Sequence, residues 1–558
     1  VTKREELEAE RVTLQRTLDG QRTQAERNRL GQFATPPRLA TSVVESALKL
    51  LPATARVRFL DPAFGTGSFY SALLGFVDSP HLRHAVGYEI DREFGNAATK
   101  LWRATGLDMR ISDFTLAAPP ADADSKPNLL ICNPPYVRHH HLDRKTKERL
   151  QVAVKRQLGI EISGLSGLYC HFMLVSHSWM ADDGVAAWLI PSEFMDVGYG
   201  LAVKRYLLDH VETLRIHRFD PTEVQFDDAL VSSCVVWFRK RKPMPDQTVA
   251  FTYGGSIETP GCERMVPVVE LRRERKWTRF PTKAPRPATA HAKLGDFFII
   301  RRGIATGANG SFIMTVQQAR ERNLPAVGLR PILPGPRHLV TDEVLAEPDG
   351  APRVEPRLVL LDCRLSERQV HDKHPSLWRY LESIRPDVAG RYLCAHRTPW
   401  YAQEHRPVAP FLCTYIVRAT GRPFRFILNH SLATAANVYL LLYPKPHVAR
   451  ALEANPGLNR QVWQALNRCE GSTLLDEGRV YGGGLHKLEP KELARVPADH
   501  LLDVLPPSPA VERTPLTLFA EAVVRDAHPR SHRARPKRRR AAGKKVRRMT
   551  SRRRRPAD

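Results

Sequence analysis

The sequence has no uninterrupted apolar run of about 18 residues, which excludes a membrane-spanning helix. Residues Val1 to Leu30 are rich in charge and lack the apolar segment of a secretory signal, so none is expected there. Cysteine is sparse. The eight, at 132, 170, 234, 262, 363, 394, 413 and 469, form no C-x-x-C pair. That argues against a disulfide scaffold and a zinc ribbon, and it suits a reducing cytoplasm. There is no Gly-Lys-Ser/Thr of a Walker A loop and no Gly-x-Gly-x-x-Gly. Acidic residues are scarce relative to basic ones: 59 Asp+Glu against 85 Lys+Arg leave a net charge of +26. Such an excess points to a polyanionic partner, nucleic acid before an anionic membrane. The imbalance is concentrated at the end of the chain, where Arg525–Asp558 holds sixteen Lys/Arg and two Asp.

What is present reads as a globular chain. The 558 residues are 42% hydrophobic and 26% charged, enough to bury two or three cores and too apolar for wholesale disorder. Residues 1–29 have helical composition with a thin stripe of Leu7, Val12, Leu14 and Leu18, the pattern of an arm-like helix. Thr35-Pro36-Pro37 predicts a helix start, and that helix runs to about Leu50. Short apolar strands are then expected at 57–60, 84–88, 109–111, 129–132, 184–190, 211–219 and 231–238, with helices between the early ones. This alternation implies an α/β domain with a largely parallel sheet, whose ligands bind beyond the carboxyl ends of the strands. Pro281, Pro285 and Pro287 mark a linker. From there to about 505 the chain is rich in Pro and Arg, and its fold is not derivable from pattern. Pro506-Pro507-Ser508-Pro509 opens a low-complexity basic tail expected to be disordered. The boundaries expected are therefore 1–29, 30–280, 281–505 and 506–558.

The unusual residues sit at the predicted strand ends. After the first strand comes Asp61-Pro62-Ala63-Phe64-Gly65-Thr66-Gly67-Ser68-Phe69, whose two glycines let the backbone approach a ligand closely. Glu89 ends the second strand, where an acid can accept from ribose hydroxyls or cap a helix. Asp113 follows the third and admits the same pair of readings: an acceptor for an exocyclic amine or a cap. After the fourth, Asn133-Pro134-Pro135-Tyr136 combines two rigid residues that lack N–H groups, an amide oxygen and a planar ring. That set suits a flat substrate bearing an NH2 group. His139-His140-His141 cannot all face one ion, so the triplet reads as a polar loop and no metal is expected.

In order and in motif the chain resembles the γ-class N6-adenine DNA methyltransferases, the TaqI type and its restriction-modification relatives. Gly31-Gln32-Phe33-Ala34-Thr35-Pro36 resembles their N-terminal cofactor motif, Asp61–Phe69 the S-adenosylmethionine loop, and Asn133–Tyr136 the catalytic tetrapeptide. Gly184–Met195 resembles a later structural motif, and Phe226–Ser233 one carrying a second aromatic near the target base, although Asp227-Asp228 stand where many relatives have small residues. The likeness is strong over about 30–240. It extends weakly to Arg302–Asn309 and Tyr481–Leu485, which are similar to segments of the recognition domain.

The resemblance implies a Rossmann-like S-adenosylmethionine-dependent domain with a mixed, mostly parallel sheet, followed by an α+β target-recognition region. It assigns catalysis to Asn133, Pro134, Tyr136 and Phe226. Cofactor binding falls to Phe33, Thr35, Pro36, Asp61, Pro62, Ala63, Gly65, Gly67, Glu89, Ile90, Asp113, Phe114 and Asn133. The implied substrate is an adenine extruded from double-stranded DNA, in a restriction-modification or phage-defence setting, with a separate endonuclease as an expected companion. A fused nuclease is not expected, since only about 30 residues precede the first cofactor motif. Basic residues Arg272, Arg273, Arg301 and Arg302 are candidates for DNA contact. The competing readings are methylation of adenine in RNA, methylation of a glutamine amide in protein, and a catalytically vestigial DNA-binding subunit. The large region beyond 290 favours DNA, and intact Gly65, Gly67, Asn133 and Tyr136 count against the vestigial subunit.

Overall fold

The computed structural model describes residues 3–78, 80–221, 232–281, 291–418, 424–481 and 485–505. All of them lie in one compact unit, Val1–Thr514. Phe226, the middle of the proline linker and the basic tail fall outside the described residues.

Three helices precede the first strand: α1 (Lys3–Gly20), α2 (Gln24–Leu30) and α3 (Pro37–Leu48). Pro36 and Pro37 start α3, as the Thr-Pro-Pro signal predicts. Its apolar face, Leu39, Ala40, Val43, Val44 and Ala47, is buried. Val43 and Val44 have no exposed surface, and each such side chain contributes about 1.5–3 kcal/mol of hydrophobic stabilisation. The alternating section follows: β1 (Val57–Asp61), α4 (Ser68–Leu73), β2 (Leu82–Glu89), α5 (Arg92–Trp102), β3 (Leu107–Ile111) and β4 (Leu129–Cys132). After it come α6 (Arg144–Leu158), α7 (Leu168–Val175), β5 (Val185–Pro191), α8 (Leu201–Asp209), β6 (Glu212–Arg218) and β7 (Ser233–Arg239). Each of the seven expected strands is present within two residues of its expected ends.

These strands form one sheet in the order β3-β2-β1-β4-β5-β7-β6, extended by β8 (Thr248–Gly255) and β9 (Pro260–Pro267). β1 to β5 are parallel; β7 runs antiparallel to both of its neighbours. The central strands β4 and β5 are buried along their whole length, which is why they read as unbroken apolar runs. The β8–β9 hairpin was not expected. Its outer strand alternates half-buried and exposed residues and carries little apolar signal. Strand order reverses at β1, between β2 and β4, and that crevice is where a sheet of this kind takes a ligand.

Beyond 290 the chain is more regular than its sequence suggests. Its strands are β10 (Phe298–Arg302), β11 (Ile313–Thr315), β12 (Leu329–Ile332), β13 (Glu343–Val344), β14 (Leu358–Leu361), β15 (Phe411–Thr414), β16 (Ile416–Arg418), β17 (Phe426–Asn429), β18 (Tyr439–Pro444), β19 (Arg479–Tyr481) and β20 (Leu485–Lys487). They build a five-stranded sheet, β10-β18-β15-β17-β13, and two three-stranded ones, β11-β14-β12 and β16-β20-β19. Helices, including Pro375–Val388 and Leu458–Leu466, pack on them around separate apolar clusters.

Candidate functional site

The glycine turn after β1 is held from both sides. Asp61 is 1% exposed and accepts from the Ala63 N–H at 3.1 Å. The Phe64 N–H donates to the Tyr88 carbonyl at 2.8 Å, tying the turn to β2. Gly67 has φ +91°, and a Cβ there would lie 2.7 Å from both Phe64 and the Trp102 indole nitrogen. By contrast, a Cβ on Gly65 would meet nothing within 4 Å, so the loop's outer side is open to a ligand. Glu89 receives the Gly65 N–H at 2.9 Å and the Asp91 N–H at 2.8 Å, one on each carboxylate oxygen. The Ile90 N–H also bears on the carboxylate, which still has lone-pair capacity left for an incoming donor. Burial pushes the Asp61 carboxyl up to about 8, with the neighbouring Glu89 adding to the effect. Burial also raises Glu89.

Ile90, next to Glu89, is 69% exposed, an apolar side chain standing free beside the turn. Asp91 caps α5 by accepting from the Glu93 N–H. Asp113 also caps, accepting from the Thr115 N–H at 2.8 Å, while its other oxygen lies 3.8 Å from Arg149. Phe114 is buried in a cluster of rings, 5.3 Å from Tyr88 and 4.8 Å from Trp179.

Across the crevice, the tetrapeptide after β4 is bolted to the N-terminal segment. The amide nitrogen of Asn133 donates to the Phe33 carbonyl at 2.9 Å and to the Thr35 hydroxyl at 3.1 Å. Two acceptors on that nitrogen fix the orientation of the amide. Its oxygen is buried and has no hydrogen-bond partner among the described residues. The Tyr136 N–H donates to the Gly31 carbonyl at 3.0 Å, and its hydroxyl to the Leu189 carbonyl of β5 at 3.1 Å. Phe33 and Tyr136 rings lie 5.4 Å apart. Gly31 has φ +68°, and a Cβ on it would meet the Tyr136 nitrogen at 2.4 Å, so glycine is required there. Gly31 to Pro36, Asp61 to Gly67, Glu89 and Asn133 to Tyr136 thus share one edge of the sheet. His139–His141 form a single turn beyond this edge.

The N-terminal helix belongs to this assembly, which its reading as an arm missed. Arg11 is 2% exposed. Its Nη1 donates to Thr66 Oγ1 at 3.2 Å and to Ser68 Oγ at 2.9 Å, and the rest of the guanidinium is paired with Glu8 at 2.7 Å. The Thr66 hydroxyl donates to Gln15 at 2.7 Å. Arg22 pairs with Asp91 at 2.6 Å and donates to Gln32 at 2.7 Å. The signal was available: Arg11 continues the stripe of Leu7, Leu14 and Leu18 at helical spacing.

The four candidate DNA-contacting arginines differ in their surroundings. Arg272 pairs with Asp209 at 2.6 Å and donates to the Leu208 carbonyl at 2.8 Å, both at the end of α8. Arg273 and Arg301 are exposed. Arg302 lies over the Tyr415 ring at 4.3 Å and donates to the Asn437 carbonyl at 3.2 Å.

Residues 95–225 match the family model described as Eco57I restriction-modification methylase. Residues 284–512 match that of the C-terminal domain of the Type II methyltransferase M.Eco57I. The chain is 29% identical over 484 residues to the Type II methyltransferase M.XamI of Xanthomonas campestris pv. amaranthicola, covering 84% of this chain and 85% of that one. It is 26% identical over 490 residues to the Type II methyltransferase M.AccI of Acinetobacter calcoaceticus, with the same coverage. Among solved structures it is similar to the Type IIL restriction-modification enzyme MmeI in complex with DNA, with 12% identity, a TM-score of 0.49, and 83% of this chain and 64% of that one covered. With two family models on separate parts of the chain and Type II methyltransferases similar over most of its length, this protein is a site-specific DNA methyltransferase of the restriction-modification type.

Proposed function

We propose that the protein methylates the N6 amine of an adenine turned out of double-stranded DNA, using S-adenosylmethionine. The observation that carries this reading is the Asn133 amide. Its nitrogen is committed to Phe33 and Thr35, so its buried, unpartnered oxygen is aimed and available as an acceptor. An adenine amine is a poor nucleophile because its lone pair is delocalised into the ring. Asn133 Oδ1 accepts one N6 proton and the Pro134 carbonyl the other. Held this way, the nitrogen is drawn toward tetrahedral geometry, and its lone pair becomes available. Positioned acceptors also stabilise the positive charge that develops there. Tyr136, fixed by Gly31 and Leu189, offers its ring to the base, and Phe226 is proposed as a second stacking face. Extruding the base costs a few kcal/mol, which such stacking offsets in part.

The residues present suit the cofactor. Gly65 leaves open space, Glu89 has spare lone pairs for hydroxyl donors, and exposed Ile90 provides an apolar face for an adenine ring. Phe33, Thr35, Pro36, Asp61, Pro62, Ala63, Gly67, Asp113 and Phe114 complete the proposed binding set. S-adenosylmethionine, when bound, supplies the methyl group on a sulfonium. Segment 30–280 is proposed as the catalytic domain, with Arg273 near its end as a DNA contact, and 281–505 as the target-recognition region, with Arg301 and Arg302 among its DNA contacts. The protein would work in the cytoplasm, beside a separate endonuclease.

The test is transfer of tritium-labelled methyl to unmethylated genomic DNA, followed by nucleoside analysis. Label in N6-methyldeoxyadenosine is expected. Label confined to a cytosine derivative, or transfer to RNA or protein in place of DNA, would refute the reading.

A further inference from the structure

A cavity of about 180 Å³ lies where the carboxyl ends of β5 and β6 and the start of β7 meet Leu475–Arg479 and His486. It is on the same edge of the sheet as Asn133, since β4 and β5 are neighbours with Cys132 opposite Trp188. Its walls carry several charges, and most have partners. Lys276 donates to the carbonyls of Asp476 and Gly478. Arg279 pairs with Glu477 at 2.8 Å, and Arg479 with Glu492 at 2.7 Å. The acids are likewise engaged: Asp196 accepts from Thr278 at 2.7 Å and Glu193 from Tyr199 at 2.9 Å. Asp220, close to Arg218, accepts from Tyr253 at 2.8 Å.

Arg218 is different. It ends β6 with its guanidinium over the Tyr253 ring at 4.4 Å. It donates no hydrogen bond among the described residues, and its Nε is buried without a partner. On the C-terminal wall, the Nδ1 of His486 is also buried and has no hydrogen-bond partner among the described residues. Asp220 and Asp196 lie near enough to stabilise the Arg218 charge, but neither accepts a hydrogen bond from it, and both acids are engaged by other donors. A buried nitrogen with no hydrogen-bond partner is costly, so Arg218 Nε and His486 Nδ1 around one cavity mark the place of a further group. Arginine presents a planar fork that matches phosphate oxygens, and a backbone N–H or neutral imidazole N–H completes such a site.

We propose that this cavity seats a backbone phosphodiester of the bound DNA, with Arg218 as its charged ligand and His486 as its second donor from the C-terminal region. The proposal rests on the DNA-methyltransferase reading and adds to it a specific anchor. A phosphate held between the two walls fixes the strand beside the Asn133 corner and joins recognition to the catalytic edge.

The experiment is the salt dependence of binding to a duplex carrying the site mapped by methylation. One lost phosphate contact lowers the slope of log K against log salt by about 0.9 and weakens binding roughly tenfold near ~0.1 M salt. Arg218→Gln should show that loss, while Arg218→Lys, which keeps the charge, should keep the slope. One neutral methylphosphonate linkage near the target base should weaken the wild type but add nothing to Arg218→Gln. An unchanged slope in Arg218→Gln overturns the proposal, as does full additivity at every linkage. Inorganic phosphate replacing chloride at constant ionic strength should compete with DNA more in wild type than in Arg218→Gln. Such selective competition with no effect of any methylphosphonate linkage would mean a free-anion site and overturn the proposal. Absence of any DNA binding by the wild type would sink the underlying reading, a distinguishable result.

Discussion

Asn133 is a residue whose two ends do different work. Its nitrogen ties β4 to the N-terminal segment, and its oxygen is left buried and bare. Asn133→Ala should therefore lower single-turnover methyl transfer by about 10²–10³, the usual cost of one positioned electrostatic partner, while DNA binding persists. Wild-type turnover in that variant would remove Asn133 from the chemistry. Asp61 makes a second argument at this scale. Its pKa is about 8 in the folded protein, raised by burial from an ordinary carboxyl value near 3.8. The folded state thus holds the proton more tightly than the unfolded one. The stability this confers is full below the unfolded value and is lost progressively as pH rises to about 8. Asp61→Asn retains the acceptor for Ala63 and cannot ionise. Measured by urea unfolding between pH 5 and 9, its stability relative to wild type should increase with pH, by at most about 1.4 kcal/mol per unit. A flat difference curve would show that Asp61 is already ionised at neutral pH. Comparing the two proteins also cancels buried His171, His177 and His217. Each is depressed to about 4 by burial and acts with the opposite sign.

At the scale of elements, α1 is the piece whose role changed most between sequence and structure. Read by composition, it is a charged helix with a weak apolar stripe. In the fold it lies against α4 and α5, and its Arg11 reaches Thr66 and Ser68 behind the glycine turn. Arg11→Met should loosen that turn. We expect cofactor affinity, followed calorimetrically with S-adenosylhomocysteine, to fall roughly tenfold, or about 1.4 kcal/mol. DNA affinity should be unaffected, because α1 touches the turn and not the cavity by Arg218. Equal weakening of both ligands would indicate general unfolding instead of a loosened loop.

The whole molecule is tied together by a small joint. Lys276 donates to two carbonyls in segment 476–478, and Arg279 pairs with Glu477. Each is a charged hydrogen bond with little exposure, worth roughly 1.5–3 kcal/mol in such settings. The sheet of residues 57–267 and the sheets beyond 290 have separate apolar cores. Removing the joint should therefore uncouple them. In scanning calorimetry, Lys276→Ala with Arg279→Ala should broaden or split the unfolding endotherm of the wild type. An endotherm of unchanged shape would place the coupling elsewhere.

The first seven strands of the large sheet and the motifs at their ends were legible in one dimension. A buried parallel strand must be a short apolar run, and the residues that follow it must make a tight turn, so both leave a local signature. β4, buried throughout and followed by Asn133-Pro134-Pro135-Tyr136, is the clearest case. The β8–β9 hairpin and the region beyond 290 were not legible. There, strands are short, often half-exposed, and paired with partners far along the chain, as β10 is with β18. Their partner choice is set by packing and not by local pattern. The same limit applied to single residues. Asn133 stood out in the sequence by its type and setting, whereas spacing left Glu89 and the two glycines open between a ligand role and a plain cap or turn, and the family resemblance assigned them to the cofactor. Only the tertiary structure decided that Arg11 is inside, that Arg272 serves the end of α8, and that Arg218 lines a cavity with no hydrogen-bond acceptor among the described residues. Whether an arginine is solvated, paired or left bare depends on which distant groups the fold brings within about 3 Å of it, and no local pattern encodes that.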